Sequence, residues 1–214
     1  MWLKRDLRVA DNAALTAAAK SGAVVIPLYV VEPDYWHLPE TSGRQWSFIR
    51  ECLLELNLRL TQLGAQLIVR TGTVIDILSD LQSQFDISLH SHEETGNDWT
   101  FQRDKAVKAW CQNNGVSWHE YQQFGVFRPL KDRDGWSKKW DQLMGQAKIK
   151  TPNKLNGTDL FSGPMPTWRD LGMNPDPCPE RQKGGRMAAR RLLDSFLVRR
   201  GENYRKAMSS PVTA

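Results

Sequence analysis

Cysteine is scarce in this chain. The three present, Cys52, Cys111 and Cys178, are far apart and odd in number. That argues against a disulfide framework or a zinc site and suits a reducing, cytoplasmic location. No run of about 18 apolar residues occurs, so no membrane span is expected. The opening residues form a charged loop, not an apolar leader, so export is not expected either. Of the four histidines, His90 and His92 fall on one strand face without a third ligand, so no metal is expected. No Ser-His-Asp or Cys-His arrangement can be assembled, and no catalytic residue is assigned. A glycine-rich phosphate loop is also missing after the first strand, where Lys4-Arg5-Asp6-Leu7-Arg8 stands instead.

Acidic charge runs short only at the far end. Net charge is +5 overall, but residues 1–146 carry 16 basic and 18 acidic side chains against 13 and 6 in residues 147–214. The surplus is concentrated between Arg181 and Lys206. A basic cluster can attract nucleic acid. This one has no interleaved aromatics to stack on bases, so a solvated helix face or a docking surface is the better reading.

What the chain does have is alternation. Its 214 residues, 40% of them hydrophobic, are enough for one α/β domain plus an appendage. Ala23–Val31 is nearly continuous in apolar residues, as a strand buried on both faces should be. Gln66–Arg70, Ile87–His90 and Val116–Tyr121 are shorter strand candidates, and the Trp2 segment is the end of a first strand whose greater part is expected to be missing. Helices fit between them. Ile49, Cys52, Leu53, Leu56, Leu60 and Leu63 recur at helical spacing before Gly64; Val74, Ile77, Leu78, Leu81 and Phe85 make a second stripe. Trp99 to Gly115 makes a third, capped by Asn97 or Asp98. Asp11 or Asn12 caps the first helix. The turn Thr71-Gly72-Thr73 reads as a helix cap before a phosphate site. This pattern predicts βαβ units around a five-stranded parallel sheet with helices on both faces, a doubly wound α/β domain over residues 1–146. Lys131-Asp132-Arg133-Asp134 is expected to be a charged loop before an amphipathic helix carrying Trp136 and Trp140 against the linker.

Residues 147–183 hold six prolines and several glycines and read as an interdomain linker that lies over a surface or stays mobile. Gly184-Gly185 then opens a helix with Ala189, Leu192, Leu193, Phe196 and Leu197 on one stripe.

Trp2, Leu3, Lys4, Asp6, Leu7, Arg8, Asp11, Asn12, Ala14 and Leu15 fill every fixed position of W-[FL]-[RK]-x-D-L-R-x-x-D-N-x-A-L. The segment resembles the opening of the DNA photolyase/cryptochrome family. Gly184, Gly185, Ala188, Leu192, Phe196 and Leu197 resemble the helix that opens that family's helical flavin domain. The resemblance implies strand order 3-2-1-4-5 and makes residues 184–214 a truncated start of the flavin-binding domain. It implies FAD in the intact protein but not in this part. It further implies a monomeric enzyme acting on DNA with pyrimidine dimers, a carbon-carbon lyase whose catalytic groups lie elsewhere.

In that family the crevice above the strand ends holds a light-harvesting antenna, of folate or deazaflavin type. Lys4, Asp6, Arg8, Tyr35, Glu93, Glu94 and Asn97 are therefore the candidate cofactor-binding residues. Lys4, Glu93, Glu94 and Asn97 would be anchors, with Tyr35, Trp36 and Phe124 as walls. Arg5, Asp6 and Arg8 either bind that ligand or pin neighbouring loops through salt bridges. Arg103-Asp104 matches the folate-type pattern, yet the bulky Trp99-Thr100 stands where Asn-Glu is expected, which argues against folate. The sequence leaves two alternatives open: a cryptochrome that signals light to a partner, or a non-photochemical nucleotide-binding domain.

Overall fold

The computed structural model describes residues 1–127, 132–204 and 208. Lys131, Lys206 and the end of the 184–214 segment lie outside them. Trp2 and Leu3 form a two-residue strand, β1, that pairs in parallel with β2 (Leu28–Val31), and β2 pairs with β3 (Ile68–Thr71). A second parallel pair joins β4 (Leu89–His92) to β5 (Trp118–Tyr121). Between them run α1 (Ala13–Lys20), α2 (Pro33–Trp36), α3 (Gly43–Gln62), α4 (Val74–Gln84) and α5 (Asp98–Asn113).

Every residue of β2 is buried, because both faces are covered. Leu28 and Val30 pack with Trp2, Ile68, Leu78 and Val107 under α4 and α5. Tyr29 and Val31 pack with Leu3, Leu53, Leu56 and Val69 under α1 and α3. Side chains alternate across a strand, so two-sided burial demands the continuous apolar run that the sequence shows.

One expectation needs correcting. The strands do not form a single hydrogen-bonded sheet of five; they form sheets of three and two. β1 and β4 are neighbours in space, but no ladder joins them. The cause is local. β1 is only two residues long, and the next backbone N–H, that of Lys4, donates to the Asp6 carboxylate at 2.9 Å. The strand predicted over Ala23–Val31 is also shorter, starting at Leu28. Pro27 has no N–H to give a ladder, and the Val25 N–H donates to the Asn156 carbonyl at 2.7 Å.

Helix ends follow their caps. Asn12 caps α1 by accepting from the Leu15 N–H, and Asn97 caps α5 by accepting from Thr100. Thr73 caps α4, and its hydroxyl donates to Asp76 at 2.7 Å. Gly64, at φ +95°, releases the chain from α3 in a conformation that other residues adopt only with strain.

Residues 147–183 lie over the surface as a strap. The Leu155 N–H bonds the Leu63 carbonyl, the Trp46 indole N–H donates to the Pro166 carbonyl, and the Leu155 and Leu171 side chains enter the core. Before the strap comes α6 (Trp136–Met144). It packs on the turn after β5. The Trp136 indole donates to the Gly125 carbonyl, and the Trp140 ring lies where a Cβ on Gly125 would stand. After the strap comes α7 (Arg186–Val198), tied at its start to α3. There Arg181 clasps Glu51, and the N–H groups of Gly184 and Met187 donate to Glu51 and Glu55. No residue of α7 is buried.

Candidate functional site

The charged turns sit together at the carboxyl ends of β1, β2 and β4, where ligands bind in open parallel sheets. β1 delivers Lys4, Arg5 and Asp6. β2 ends at Val31 and is followed by Glu32, then by Tyr35 and Trp36 on the short α2. β4 ends at His92, followed by Glu94 and Asn97 ahead of α5. α5 turns Thr100, Asp104, Val107 and Cys111 inward, which brings Arg103 and Asp104 onto the same cluster.

Three buried carboxylates meet one buried cation, Lys4, and one half-buried one, Arg103. Arg103 is the hub, pairing with Glu32 at 2.8 Å, Glu94 at 2.5 Å and Asp104 at 2.9 Å. Lys4 pairs with Asp104 at 2.9 Å and lies 4.5 Å from the centre of the Trp2 ring. Arg5 reaches in from the surface to Glu94 at 2.8 Å and donates to the Tyr35 hydroxyl at 3.2 Å. Beside this cluster, Asp6 and His92 form a buried pair at 2.6 Å.

Burial works against charge at each of these groups, and its partners decide the outcome. At Arg103, burial is outweighed by Glu32, Asp104 and Glu94, which raise its pKa and keep it charged. At Asp6, burial is outweighed by the hydrogen bonds from His92 and the Lys4 N–H, which hold the carboxyl below its usual range. At Glu32 burial wins over Arg103 and pushes the carboxyl up to about 7.

The cluster floors a cavity of about 250 Å³. Its apolar walls are Leu3, Tyr29, Val30, Trp36 and Ile49; Lys4, Glu32, Glu94 and Arg103 supply polar groups, and Arg5 and Glu40 stand at the mouth. The Asn97 amide donates to Glu40 at 2.6 Å, tying the β4–α5 loop to the loop before α3. Aromatic rings run along one side: Trp99 to Tyr35 at 5.4 Å, Tyr35 to Trp36 at 5.3 Å, and Trp36 to Trp46 at 5.0 Å between centroids. Trp99 does not fill this cavity; it walls a neighbouring groove of about 630 Å³ on the far side of Glu32 and Arg103. A cavity of about 430 Å³ opens at the opposite strand edge around Met1, Ile26 and His90, away from the crevice.

Of the residues singled out from the sequence, Lys4, Tyr35 and Glu94 line the crevice and Asn97 ties its rim. Asp6 and Glu93 line a separate small space beneath Phe124. Arg8 is not brought to the crevice: its guanidinium donates to the Asp11 carbonyl, and it lines a cavity against α3 and Arg186. His92 is engaged by Asp6, and His90 hydrogen-bonds the Tyr121 hydroxyl. Among the described residues no three ligating side chains come together to hold a metal. Sequence reasoning missed Arg103 as the hub and Glu40 at the mouth. A signal for the first was there, since Asp104 interrupts the inward register Thr100, Val107, Cys111 with a charge.

The model of the family described as DNA photolyase matches residues 1–133. Cryptochrome DASH of Natronomonas pharaonis is 24% identical over 218 residues, covering 92% of this chain and 46% of its own. The deoxyribodipyrimidine photo-lyase of Vibrio cholerae is 28% identical over 169 residues, covering 77% of this chain and 34% of its own. The crystal structure of a class III photolyase from Agrobacterium tumefaciens superposes with a TM-score of 0.73 at 23% identity, over 96% of this chain and 45% of that one. This chain thus spans less than half of each.

Proposed function

We propose, from the premise that this chain belongs to the DNA photolyase family, that it is the antenna-side α/β domain of a longer blue-light flavoprotein. The observation that carries the reading is the crevice itself: an aromatic-walled cavity with a few oriented polar groups, at the sheet edge where such folds hold ligands. The domain would cover residues 1–146, the strap 147–183 would lead on, and residues 184–214 would begin the flavin-binding part. No catalytic group is assigned within the chain.

The intact protein would bind FAD beyond this chain and act on pyrimidine dimers in DNA, as a monomer. When bound, the flavin supplies the light-driven electron that splits the dimer and is then recovered. This chain's residues have simpler work. Trp36 and Tyr35 would fix the plane of an antenna ring, Lys4, Glu32, Glu94 and Arg103 would orient its polar edge, and the Asn97–Glu40 and Arg5–Tyr35 bonds would restrict water at the mouth. An antenna needs orientation and shelter, not acid–base chemistry.

Light signalling is the second reading, favoured by the cryptochrome DASH relative that aligns with 92% of the chain. A nucleotide-binding module is disfavoured. The Asn12 side chain already caps α1, and Lys-Arg-Asp-Leu-Arg replaces a phosphate loop. No helix among the described residues is long and apolar enough to cross a membrane.

The test is an absorption and fluorescence spectrum of the full-length protein purified in the dark, with extracted pigments identified by mass. Flavin plus a second blue-absorbing pigment supports the reading, and dimer repair under blue light then separates lyase from signalling protein. Absence of any pigment would return the nucleotide-binding reading. A second expectation concerns the boundary. Deleting residues 184–214 should leave a single cooperative thermal transition, because α7 buries nothing. Loss of cooperativity would show that the segment belongs to the domain.

A further inference from the structure

We propose that α6, with the turn it sits on, is a contact site for single-stranded nucleic acid, held by stacking and charge without regard to base sequence or damage. No residue of α6 lines the crevice, so the inference stands whatever the crevice holds.

Exposed aromatic surface is the first observation. Trp136 and Trp140 stand one turn apart on one face of α6. Their ring centroids are 6.3 Å apart, and the two residues are 41% and 40% exposed. Met144 continues the face, and the exposed Phe124 and Val126 flank Gly125 beneath it. Both rings are fixed in place. The Trp136 indole N–H donates to the Gly125 carbonyl at 2.9 Å, and the Trp140 ring takes the space beside Gly125 that any side chain there would fill. A half-exposed ring that is already ordered is a platform on which any base can stack.

Charge is the second. Residues 128–150 carry seven basic and three acidic side chains, against 11 and 15 in residues 1–127. A positive segment thus lies on an acidic domain. Lys139 flanks the tryptophan face, its ammonium 5.9 Å from the centre of the Phe127 ring. Arg133 precedes the helix, and Lys148 and Lys150 follow it. Lys138 and Asp141 lie on the other side of α6. Asp132 and Asp134 share the turn with Arg133, and the Asp132 carboxylate accepts from the Asp134 N–H at 3.0 Å. Among the described residues none of Arg133, Lys138, Lys139, Lys148 and Lys150 is in an ion pair. The crevice cations are engaged by carboxylates; these are open to phosphates. A bilayer fits less well, because interfacial tryptophans turn their N–H toward headgroups, and the Trp136 N–H is taken by protein. A protein partner fits less well, because lysine is depleted at such interfaces.

The experiment follows the fluorescence anisotropy of a labelled, undamaged oligo-dT of about 16 nucleotides titrated with this chain in the dark. Log affinity should fall against log salt with a slope of about −2 to −3, as three or four phosphate contacts give. Trp140→Leu keeps an apolar contact on Gly125 and removes a stacking face; it should weaken binding about tenfold and leave the slope unchanged. Lys139→Gln, a surface change that reads the same site should Trp140→Leu loosen α6, should flatten the slope by about 0.7. Ultraviolet cross-linking of the oligonucleotide to the full-length protein should leave an adduct on the peptide that holds Trp136 and Trp140. Adducts only elsewhere would mean that the rest of the protein covers this face, and the proposal fails. It also fails if binding survives Trp140→Leu but is lost when Arg190 and Arg191 of α7 are both changed to Gln, which would place the contact on the arginine-rich helix. Duplex DNA binding as tightly as the single strand, or anionic phospholipid vesicles binding where the oligonucleotide does not, would overturn it as well.

Discussion

Replacing Arg103 by alanine is expected to destabilise the fold by about 3–5 kcal/mol, measured as a lowered midpoint in urea. The reason lies in what the guanidinium leaves behind. Glu32, Glu94 and Asp104 all point at it, and each is buried. Lys4 can still serve Asp104, and Arg5 can still serve Glu94, but Glu32 has no other cation paired with it among the described residues. A buried carboxylate without a partner must either remain ionised at high cost or take up a proton. Removal of one partner from a buried network costs far more than the network contributes net, so the figure measures the stranded charge and not the worth of the pairs. Arg103→Lys should recover only part of the loss, since an ammonium cannot fork between three carboxylates. A loss below about 1 kcal/mol would mean that water reaches these groups and that the cluster is not the dry floor described above.

Glu32→Gln should act in the opposite direction, and only above neutral pH. The folded-state pKa of Glu32 is raised from 4.5 to about 7 by burial. Between those values the folded chain binds more protons than the unfolded one, so stability falls as pH rises through the window. The full penalty is present above pH 7 and absent below about pH 4.5, and converts to about 3 kcal/mol at most. Glutamine removes the ionisation and should therefore stabilise the protein by about 1–3 kcal/mol at pH 8 while changing little near pH 4.5. Asp6 works with the other sign. Its pKa is lowered in the folded state, so the stability it contributes is present above its ordinary value near 3.8 and is lost as pH falls through the folded value. The combined contribution of these two groups is greatest at mildly acidic pH, whereas burial of the Met1 amine and of His90, whose pKa values fall to about 5 and about 4, favours higher pH. Urea midpoints of wild type and Glu32→Gln that stay parallel from pH 4.5 to 8 would refute the account.

The elements were legible wherever one face decides the pattern. The stripes at Leu53, Leu56 and Leu60 and at Val74, Leu78 and Leu81 specify α3 and α4 because each is repeated over several turns against a buried sheet. β2 was visible for the complementary reason, two buried faces and no alternation. Its early start was misplaced because Ala23–Ile26 is apolar enough to look like strand, while the Val25 hydrogen bond that diverts it comes from Asn156 in the strap, far away in sequence. The division into two sheets was not readable at all. It depends on where β1 turns away from β4, which is set by one side-chain bond from Asp6.

At the crevice, local sequence showed which loops carry polar residues but not how they would pair. Lys4 and Glu94 were identified by their place after strands. Arg103 lies on a helix beside Asp104, but its other two partners, Glu32 and Glu94, come from separate loops, so only the assembled fold reveals the hub. Arg8 illustrates the converse: two residues beyond Asp6 in a turn, the chain has already bent toward α3, and adjacency in sequence no longer means adjacency in space.

The seam between β1 and β4 has one more consequence. Backbone hydrogen bonds bind strands into a unit that opens together, and here that unit stops at β1. The β4–β5 pair can part from the larger sheet with no ladder bond broken, by releasing Asp6 from His92, Lys4 from Asp104, Arg5 from Glu94 and Arg103 from Glu32 and opening the core between them. Amide hydrogens of the two sheets therefore have separate routes to exchange, and the crevice lies across the line along which they divide. Whatever sits in that crevice would lock two independently breathing halves into one.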